Sequence, residues 1–400
     1  MLQLAVLFHR LGPYHLARCV AAGSRCRLTV IELSAVDHTY AWSRVDGAPN
    51  FTRLTLFRDE DVDLKRTSDV SRGVRSVLAA ADPDVVAIPG WSHSGALSAL
   101  LWCLRKGRPA VLMSDSGWHD EVRRPAREAT KQRVVRLFSS AVVAGAPHGE
   151  YACALGLSAD TVFAGYDVVD NEHFERGASE ARRSAGQWRR RLGLPERFFL
   201  ASSRFIPKKN LIRLLDAYAG YRRRAGVDAW RLVLLGDGEL RPEIESRIGR
   251  GDLAGAVVLP GFKQYDALPA YYGLAGGFVH ASTTEQWGLV VNEAMASRLP
   301  VIVSERCGCA RDLVREGVNG FTFDPHDVDE LAGLMQRVAV MTDGQRRAMG
   351  EASRHIIAHW GPDRFAQGLM QAVQVAMRRP PPQAAWFDQT LLWALARRPL

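Results

Sequence analysis

Short apolar runs recur along the chain, and a longer stretch with helical periodicity follows each of them. Because these runs are apolar throughout rather than alternating with polar residues, they predict strands buried on both faces of a sheet. In the first half of the chain the predicted strands are residues 2–8, 28–33, 85–89, 110–113, 141–144 and 161–164. In the second half they are residues 198–202, 232–235, 257–259, 277–281, 301–304 and 321–323.

Strands that alternate with helices predict right-handed βαβ units and parallel sheets. Two such series in tandem, in a chain of 400 residues, predict an α/β protein with two facing Rossmann-like domains. We place the boundary near Asp170–Phe174, which gives an N-terminal domain over residues 1–172 and a C-terminal domain over residues 173–362. Residues 363–400 remain as a helix that crosses back to the N-terminal domain, followed by a tail.

Two segments outside the strands carry further predictions. Residues 175–191 are rich in Arg, Ser, Gly and Ala, which favours an exposed linker and a surface helix. After Pro362 an apolar face is predicted from Phe365, Leu369 and Val373, with Met377 alongside, and Pro380 ends that helix. The tail beyond contains Trp, Phe, Leu and Arg residues, so it either packs on the protein's own surface or anchors it at a membrane interface.

Composition narrows the class of protein. Hydrophobic residues make up 47% of the chain and charged residues 24%, as in globular proteins. The formal net charge of +9 favours anionic partners, such as an anionic substrate or membrane surface. Nucleic acid ranks last, because no nucleic-acid-binding motif is present. The six cysteines lack metal-site spacing and predict reduced thiols. With neither a signal peptide nor an apolar run of membrane-spanning length, we expect a cytoplasmic protein.

The candidate chemistry centres on two acids, Glu285 and Glu293, which follow a predicted strand. A helix is expected to begin near Gly288, where unpaired backbone N–H groups and the helix dipole favour an anion. Glu293, inside the helix, would then accept hydrogen bonds from a vicinal diol such as ribose. Two carboxylates at this spacing also suit a helix with solvated acids, so the neighbouring segments decide between the two interpretations.

Three other segments follow predicted strands in the same half of the chain. Arg204 and Lys209 stand at a strand end, where open α/β sheets bind ligands, and their charges suit a pyrophosphate. Gly236-Asp237-Gly238 permits a tight turn and a close approach of the backbone. Pro260-Gly261-Phe262-Lys263 is suited to contact a nucleobase through its loop. Each segment alone fits an ordinary solvated loop or turn as well.

Taken together, these four segments resemble the retaining GT-B glycosyltransferases of family 4, which carry Glu-x7-Glu, Arg-x4-Lys, Gly-x-Gly and Gly-Phe motifs in this order. The resemblance spans residues 198–324 and extends more weakly over the whole chain. It implies that a nucleotide-sugar is the donor, that the sugar is transferred with retention, and that neither a cofactor nor a metal ion is needed. The donor-binding residues implied are Arg204, Lys209, Gly236, Gly238, Phe262, Lys263, Trp287, Gly288, Leu289 and Glu293, with Glu285 catalytic beside the donor sugar.

The resemblance is weaker in the N-terminal half. The family carries a glycine-rich loop after its first strand. The corresponding segment here, His9–His15, has a single glycine, Gly12, which we expect near the donor phosphate. The family also places a His near the donor sugar, so His119 is the second catalytic candidate and Asp120 its alternate. Other residues on predicted strand-end loops are expected to contact the acceptor; these are Tyr14, His15, Trp91 and His93.

We therefore expect an enzyme that transfers a sugar from a UDP- or GDP-sugar to a glycan or lipid-linked acceptor. Its basic helix at residues 123–136 is either a solvated face or a contact with an anionic membrane. Three alternatives stay open at this point. They are a non-hydrolysing nucleotide-sugar epimerase of the same fold, an inactive nucleotide-binding partner and a nicotinamide-dependent dehydrogenase. The dehydrogenase is least favoured, because no complete GxGxxG motif follows a predicted strand in this sequence.

Overall fold

The computed structural model describes residues 2–36, 42–47, 50–249 and 251–398. The chain divides into two compact units, one formed by Met1–Val168 with Pro362–Leu400 and the other by Val169–Gly361. Each unit holds one sheet whose strands pair in parallel, with helices connecting them. The prediction of an α/β protein with two Rossmann-like domains is therefore confirmed.

The first unit begins with alternating strands and helices. In chain order these are β1 (Gln3–Phe8), α1 (Pro13–Gly23), β2 (Arg27–Ser34), β3 (Thr52–Phe57), α2 (Thr67–Ala81), β4 (Val85–Pro89), α3 (Ser94–Lys106), β5 (Ala110–Ser114), α4 (Pro125–Val135), β6 (Ser140–Val143), α5 (Ala146–Ala154) and β7 (Val162–Ala164). The sheet has the order β3-β2-β1-β4-β5-β6-β7. Successive strands are added to one side of β1 up to β3 and to its other side from β4 onward, so the topological switch point lies at the loops after β1 and β4.

Strand β3 was missed by the sequence prediction. It pairs only with β2 at the edge of the sheet, and its residues are exposed or half-buried rather than buried. Its polar residues include Arg53, which donates to both carboxylate oxygens of Glu32 on β2. Glu32 is completely buried in β2. An edge strand that supplies the partner of a buried acid cannot be apolar throughout.

The second unit repeats the architecture with six strands. In chain order its elements are α6 (Asn171–Arg183), α7 (Ala185–Leu192), β8 (Phe198–Ser202), α8 (Leu211–Ala225), β9 (Arg231–Leu235), α9 (Arg241–Gly249), β10 (Val257–Gly261), α10 (Leu268–Leu274), β11 (Gly277–His280), α11 (Leu289–Ala296), β12 (Val301–Ser304), α12 (Ala310–Leu313), β13 (Gly320–Phe323), α13 (Val328–Ala339) and α14 (Asp343–Ile357). The sheet order is β10-β9-β8-β11-β12-β13, so the switch point lies between β8 and β11.

The prediction of a linker within residues 175–191 was wrong, whereas the predicted surface helix is confirmed by α7, which has no buried residue. These residues lie in α6 and α7, and α6 packs against α10. Phe174, Ala178 and Ala181 are completely buried at spacings of four and three residues, which is one face of a helix. The many charged residues between them occupy the solvent side. Because the prediction rested on composition, these charged residues outweighed the few buried ones.

The last two helices, α15 (Pro362–Arg378) and α16 (Trp386–Leu395), belong to the first unit. The predicted face of α15 is confirmed for Phe365, Leu369 and Val373, which are completely buried, but Met377 is 49% exposed. Helix α15 ends at Arg378, before the proline run, as predicted. No helix in the described ranges is both long enough and apolar enough to cross a membrane. All six cysteines are free thiols.

Candidate functional site

The four predicted donor-binding segments of the C-terminal half lie at the carboxyl edge of the second sheet, where backbone hydrogen bonds join neighbouring loops. Phe205 N donates to Asp237 O across 2.8 Å, which ties the loop after β8 to the turn after β9. Gly236 N donates to Gly261 O across 3.2 Å, which ties that turn to the end of β10. Thr283 N donates to Lys208 O across 2.9 Å, so the loop after β11 joins on the other side. The parallel topology therefore brings segments far apart in the chain into one continuous rim.

The turn after β9 shows why this rim needs glycine. Gly236 has a φ of +129°, and a Cβ atom there would lie 1.8 Å from the carbonyl oxygen of Ser203. The close approach places the loop that carries Arg204 directly against the turn. Gly238, Phe262 and Lys263 lie on the same rim, with Phe262 37% exposed.

Lys209 and Glu285 meet at the switch point of the second sheet. Lys209 follows β8, Glu285 follows β11, and the Lys209 ammonium forms an ion pair with Glu285 Oε2. Both side chains are nearly buried, at 11% and 12% exposure. Asn210 ties the same loops together, because its amide nitrogen donates to Ala281 O (3.1 Å) and Pro325 O (2.7 Å). The predicted phosphate-binding lysine and the predicted catalytic acid are thus direct neighbours.

Two residues that the sequence analysis overlooked hold the Glu285 carboxylate. His280 Nε2 lies 3.2 Å and Ser282 Oγ 3.3 Å from Glu285 Oε2. Burial alone would raise the pKa of Glu285, but the His280 hydrogen bond and the Lys209 charge hold it well below its usual value. Burial lowers the pKa of His280. The available signal was a histidine at the end of an apolar strand, which by itself fits a core histidine equally well.

Helix α11 begins at Leu289, directly after Gly288, as predicted. Gly288 has a φ of +101°, a conformation that favours glycine at the start of this helix. The Trp287 side chain is 2% exposed and donates from Nε1 to Asn292 Oδ1 across 2.9 Å. The indole therefore faces the interior, and the backbone of residues 287–289 is the part that a ligand would contact.

Glu293 lies within α11 and is completely buried. Its Oε2 accepts a hydrogen bond from Tyr272 Oη across 2.6 Å, and this carboxylate contributes to a raised Tyr272 pKa after burial itself. A carboxylate can accept several hydrogen bonds, so the Tyr272 contact still permits a ligand hydroxyl to bind. Its role in binding ribose stays a prediction. The structure shows a second role for Glu293, which joins α10 to α11 through Tyr272.

In the first unit, the loop after β1 begins helix α1 at Pro13. Gly12 N donates to His15 Nδ1 across 3.3 Å, so the histidine satisfies a backbone group at the start of its own helix. Burial, with smaller contributions from the charges of Arg18 and His9, lowers the pKa of His15 to about 3. Tyr14 packs edge-on against Trp42 at a centroid distance of 6.2 Å.

His9 and His93 meet at the switch point of the first sheet, with ring centroids 5.2 Å apart. Together with Asp63 they place three possible metal-ligand atoms within 4.8 Å of one another. However, His93 Nδ1 accepts a hydrogen bond from Gly95 N across 3.0 Å. The neutral ring therefore carries its hydrogen on Nε2, which lies 3.3 Å from Asp63 Oδ1. A nitrogen that keeps its hydrogen has no lone pair for a metal ion, so these residues do not fit metal ligation.

The loops after β4 and β5 carry the remaining predicted residues. His119 is exposed, and Asp120 Oδ2 accepts a hydrogen bond from Gly117 N across 2.7 Å. Trp91, on the loop after β4, packs against the Tyr151 ring at 6.4 Å. Burial, followed by the charge of Asp167, raises the pKa of Asp115 to about 7. The structure places His119 on this loop and leaves its catalytic role a prediction.

Residues 185–356 match the protein family described as glycosyl transferases group 1. Among curated proteins, the alpha-D-kanosaminyltransferase of Streptomyces kanamyceticus is 30% identical over 42% of this chain and 42% of its own. The D-inositol 3-phosphate glycosyltransferase of Salinispora arenicola is 31% identical over 54% of this chain and 50% of its own. The chain therefore spans about half the length of these curated relatives.

Solved structures match over nearly the whole chain at lower identity. The Anabaena protein Alr3699/HepE in complex with UDP and glucose has a TM-score of 0.72 and 19% identity, covering 94% of this chain and all of that one. The sucrose-phosphate synthase of Thermosynechococcus elongatus has a TM-score of 0.70 and 18% identity, covering 94% and 98%. At such identities the likeness establishes the fold, which is that of GT-B glycosyltransferases. The chain therefore has the fold of GT-B glycosyltransferases, and residues 185–356 within it match glycosyl transferases group 1.

Proposed function

We propose that this protein is a retaining, family 4 hexosyltransferase that moves a sugar from a UDP- or GDP-sugar to a hydroxyl group of a glycan or lipid-linked saccharide. The observation that carries the proposal is the Lys209–Glu285 pair at the switch point of the second sheet. Open α/β sheets bind ligands at such points. The joined rim of loops around the pair adds Arg204, the Gly236 turn and the start of α11.

These groups suit a nucleoside diphosphate as leaving group. As the bond from the sugar's anomeric carbon to the diphosphate oxygen breaks, negative charge develops on the diphosphate. Arg204, Lys209 and the N–H groups at the start of α11 would stabilise that charge, a task that a bound divalent cation performs in other enzymes. We therefore propose that the reaction requires neither a metal ion nor a cofactor.

The two acids would take different roles in this reaction. Glu293 would accept hydrogen bonds from the ribose hydroxyls, and Glu285 would lie beside the donor sugar. The low pKa of Glu285 keeps it ionised at neutral pH, which suits interaction with positive charge developing at the anomeric carbon. His119, in the first unit, would be the second catalytic residue. Gly12, Tyr14, His15, Trp91, His93 and Asp120 remain the proposed contacts with donor phosphate and acceptor.

The presence of UDP in the Anabaena neighbour supports a uridine nucleotide, and the basic net charge suits an anionic donor. We place the reaction in polysaccharide or glycolipid biosynthesis, in the cytoplasm at the inner face of the cell membrane.

Calorimetric titration with UDP and GDP tests the donor site. We expect Lys209→Ala and Glu293→Gln each to weaken binding about tenfold or more, because each loses a hydrogen bond that involves a charged group. Lys208→Ala is the matched control, since it removes the same charge one position earlier in the chain, and we expect it to retain affinity. Thermal unfolding without nucleotide shows whether each variant is folded, and the rise in melting temperature on adding nucleotide reports binding to the native state.

Unchanged affinity of both Lys209→Ala and Glu293→Gln for both nucleotides would remove the proposed donor site. A second assay separates transfer from epimerisation within the same fold. Incubation with the nucleotide-sugar alone should yield no epimerised sugar, whereas its release without an acceptor would identify an epimerase.

A further inference from the structure

Helix α16 of the first unit presents two tryptophans to solvent. It packs inward through Leu392 and Ala396, which are 0% and 3% exposed. Trp386 and Trp393 are 78% and 44% exposed, and their spacing of seven residues places them on one outward stripe of the helix. Indole rings combine a large apolar surface with one polar N–H group, and they are enriched where apolar and aqueous phases meet.

Specific contacts hold α16 in this orientation. Arg133 of α4 donates to Asp388 Oδ1 across 2.9 Å, and its guanidinium lies 4.7 Å from the centre of the Phe387 ring. Thr67 at the start of α2 donates from Oγ1 to the carbonyl oxygen of Arg397 across 3.2 Å. The tryptophans therefore face outward from a helix that packs on the first unit, and the membrane alternative stated for the tail stays a prediction.

A pocket lies beside Trp393, between α16 and α2. It has a volume of about 130 Å³, and its lining includes the cationic side chains of Arg72, Arg75 and Arg397. The hydroxyl-bearing residues Ser68 and Ser71 also line it. Arg397 lies over the Trp393 ring at 3.7 Å, so positive charge and aromatic surface are contiguous. Guanidinium groups and hydroxyls are the donors that bind phosphate oxygens in proteins.

The charges around this pocket are mainly positive. Asp69 on α2 lies 3.4 Å from Arg72 and offsets part of that charge, while the Arg72 side chain itself remains 75% exposed. On the other side of α16, Arg133 lies beside Phe387, with its charge offset by Asp388. Exposed aromatic rings flanked on both sides by arginines are the pattern of a surface that lies in the headgroup region of a bilayer.

We propose that the outward face of α16 and the adjoining arginine pocket form a docking site for an anionic phospholipid bilayer. Trp386 and Trp393 would lie at headgroup level, and the pocket formed with Arg72, Arg75 and Arg397 would bind a lipid phosphate. The protein would adsorb to the surface rather than span the membrane. This inference names a membrane surface for the proposed function, but it rests on the first unit alone and does not depend on the reaction.

Sedimentation of the 400-residue chain with lipid vesicles tests the proposal. One set consists of phosphatidylcholine, and in the other about a third of the lipid is phosphatidylglycerol. We expect binding to the anionic set only, weakened by added salt. Arg72→Gln/Arg75→Gln should weaken binding by about fivefold per arginine. Trp386→Ser/Trp393→Ser should weaken it about tenfold or more through lost apolar contact.

The matched control is Arg223→Gln/Arg224→Gln, which removes the same charge from the exposed end of α8 in the second unit. We expect it to bind vesicles like the unaltered protein. The proposal is overturned if the unaltered protein binds neither vesicle set, if either pocket or tryptophan variant binds normally, or if the control loses as much as the Arg72/Arg75 variant. UDP affinity, measured on the same variants, is expected to stay unchanged and separates failure of this site from failure of the donor site.

Discussion

Tyr272 donates its hydroxyl hydrogen to Glu293 Oε2 across 2.6 Å, and both side chains are completely buried. The bond joins α10 to α11 beneath the loops proposed to bind the nucleotide. A buried carboxylate is costly unless it is hydrogen-bonded, so Tyr272 stabilises the acid in the position where the proposed ribose contact needs it. Stability and ligand binding are therefore coupled at this pair.

Removing the Tyr272 hydroxyl should expose that coupling. We expect Tyr272→Phe to lower the free energy of unfolding by about 1–3 kcal/mol, because Glu293 loses a donor while it stays buried. UDP affinity should fall as well, since the carboxylate is no longer held in place. Denaturant unfolding and calorimetry measure the two effects.

Tyr271→Phe is the control for this change, because it removes a hydroxyl from the adjacent buried position of α10. If Tyr271→Phe lowers the free energy of unfolding as much as Tyr272→Phe does, the hydrogen bond to Glu293 does not account for the loss.

Glu285 should make the free energy of unfolding depend on pH in the acidic range. Its pKa is lowered in the folded protein, where burial opposes but the His280 bond and the Lys209 charge outweigh it. The unfolded chain therefore takes up a proton below about pH 4.3 while the folded protein does not. The stabilisation is complete above that pH and is lost as the pH falls, with a slope of up to about 1.4 kcal/mol per pH unit. Unfolding free energies from pH 7 to pH 3 should fall more steeply for the unaltered protein than for Glu285→Gln; parallel curves would contradict this.

Asp115 should have the opposite dependence on pH. Burial and the neighbouring charge of Asp167 raise its pKa to about 7. Between about pH 4 and pH 7 the unfolded chain loses this proton first, so the folded state loses stability as the pH rises. We expect Asp115→Asn to gain stability relative to the unaltered protein at pH 8 but not at pH 4, measured by denaturant unfolding.

Asp46→Asn provides the comparison for Asp115, because the Asp46 side chain is 92% exposed. Its substitution should change stability little at either pH, and an equal gain at pH 8 in both variants would point to net charge rather than to the Asp115 site.

Gly236 should tolerate no side chain. Its φ of +129° and the 1.8 Å approach of a Cβ to Ser203 O require the backbone to move. We expect Gly236→Ala to cost more than about 3 kcal/mol of stability, in the range of the most damaging substitutions. Gly249→Ala at the end of α9 is the matched change, since a Cβ there meets nothing within 4 Å. Thermal melting of both variants decides, and equal melting temperatures would contradict the close approach.

Much of the fold follows from local pattern. Strands buried on both faces must be apolar throughout, so β4, β8 and β12 could be predicted at their observed bounds. The edge strand β3 lacks that signal, because it has one neighbour and carries Arg53 for the buried Glu32. Helix α6 was missed for a related reason, since its charged solvent side masked the buried Phe174, Ala178 and Ala181.

In the candidate donor site, too, some features follow from local sequence and others only from the tertiary structure. Residue type and spacing along the chain were enough to select Arg204, Lys209, Glu285 and Glu293, because charge and position after a strand are local properties. The ion pair of Lys209 with Glu285 and the bond of Tyr272 to Glu293 join residues 76 and 21 positions apart. Contacts over such separations depend on strand order, which places the loops after β8 and β11 side by side and which no local pattern encodes.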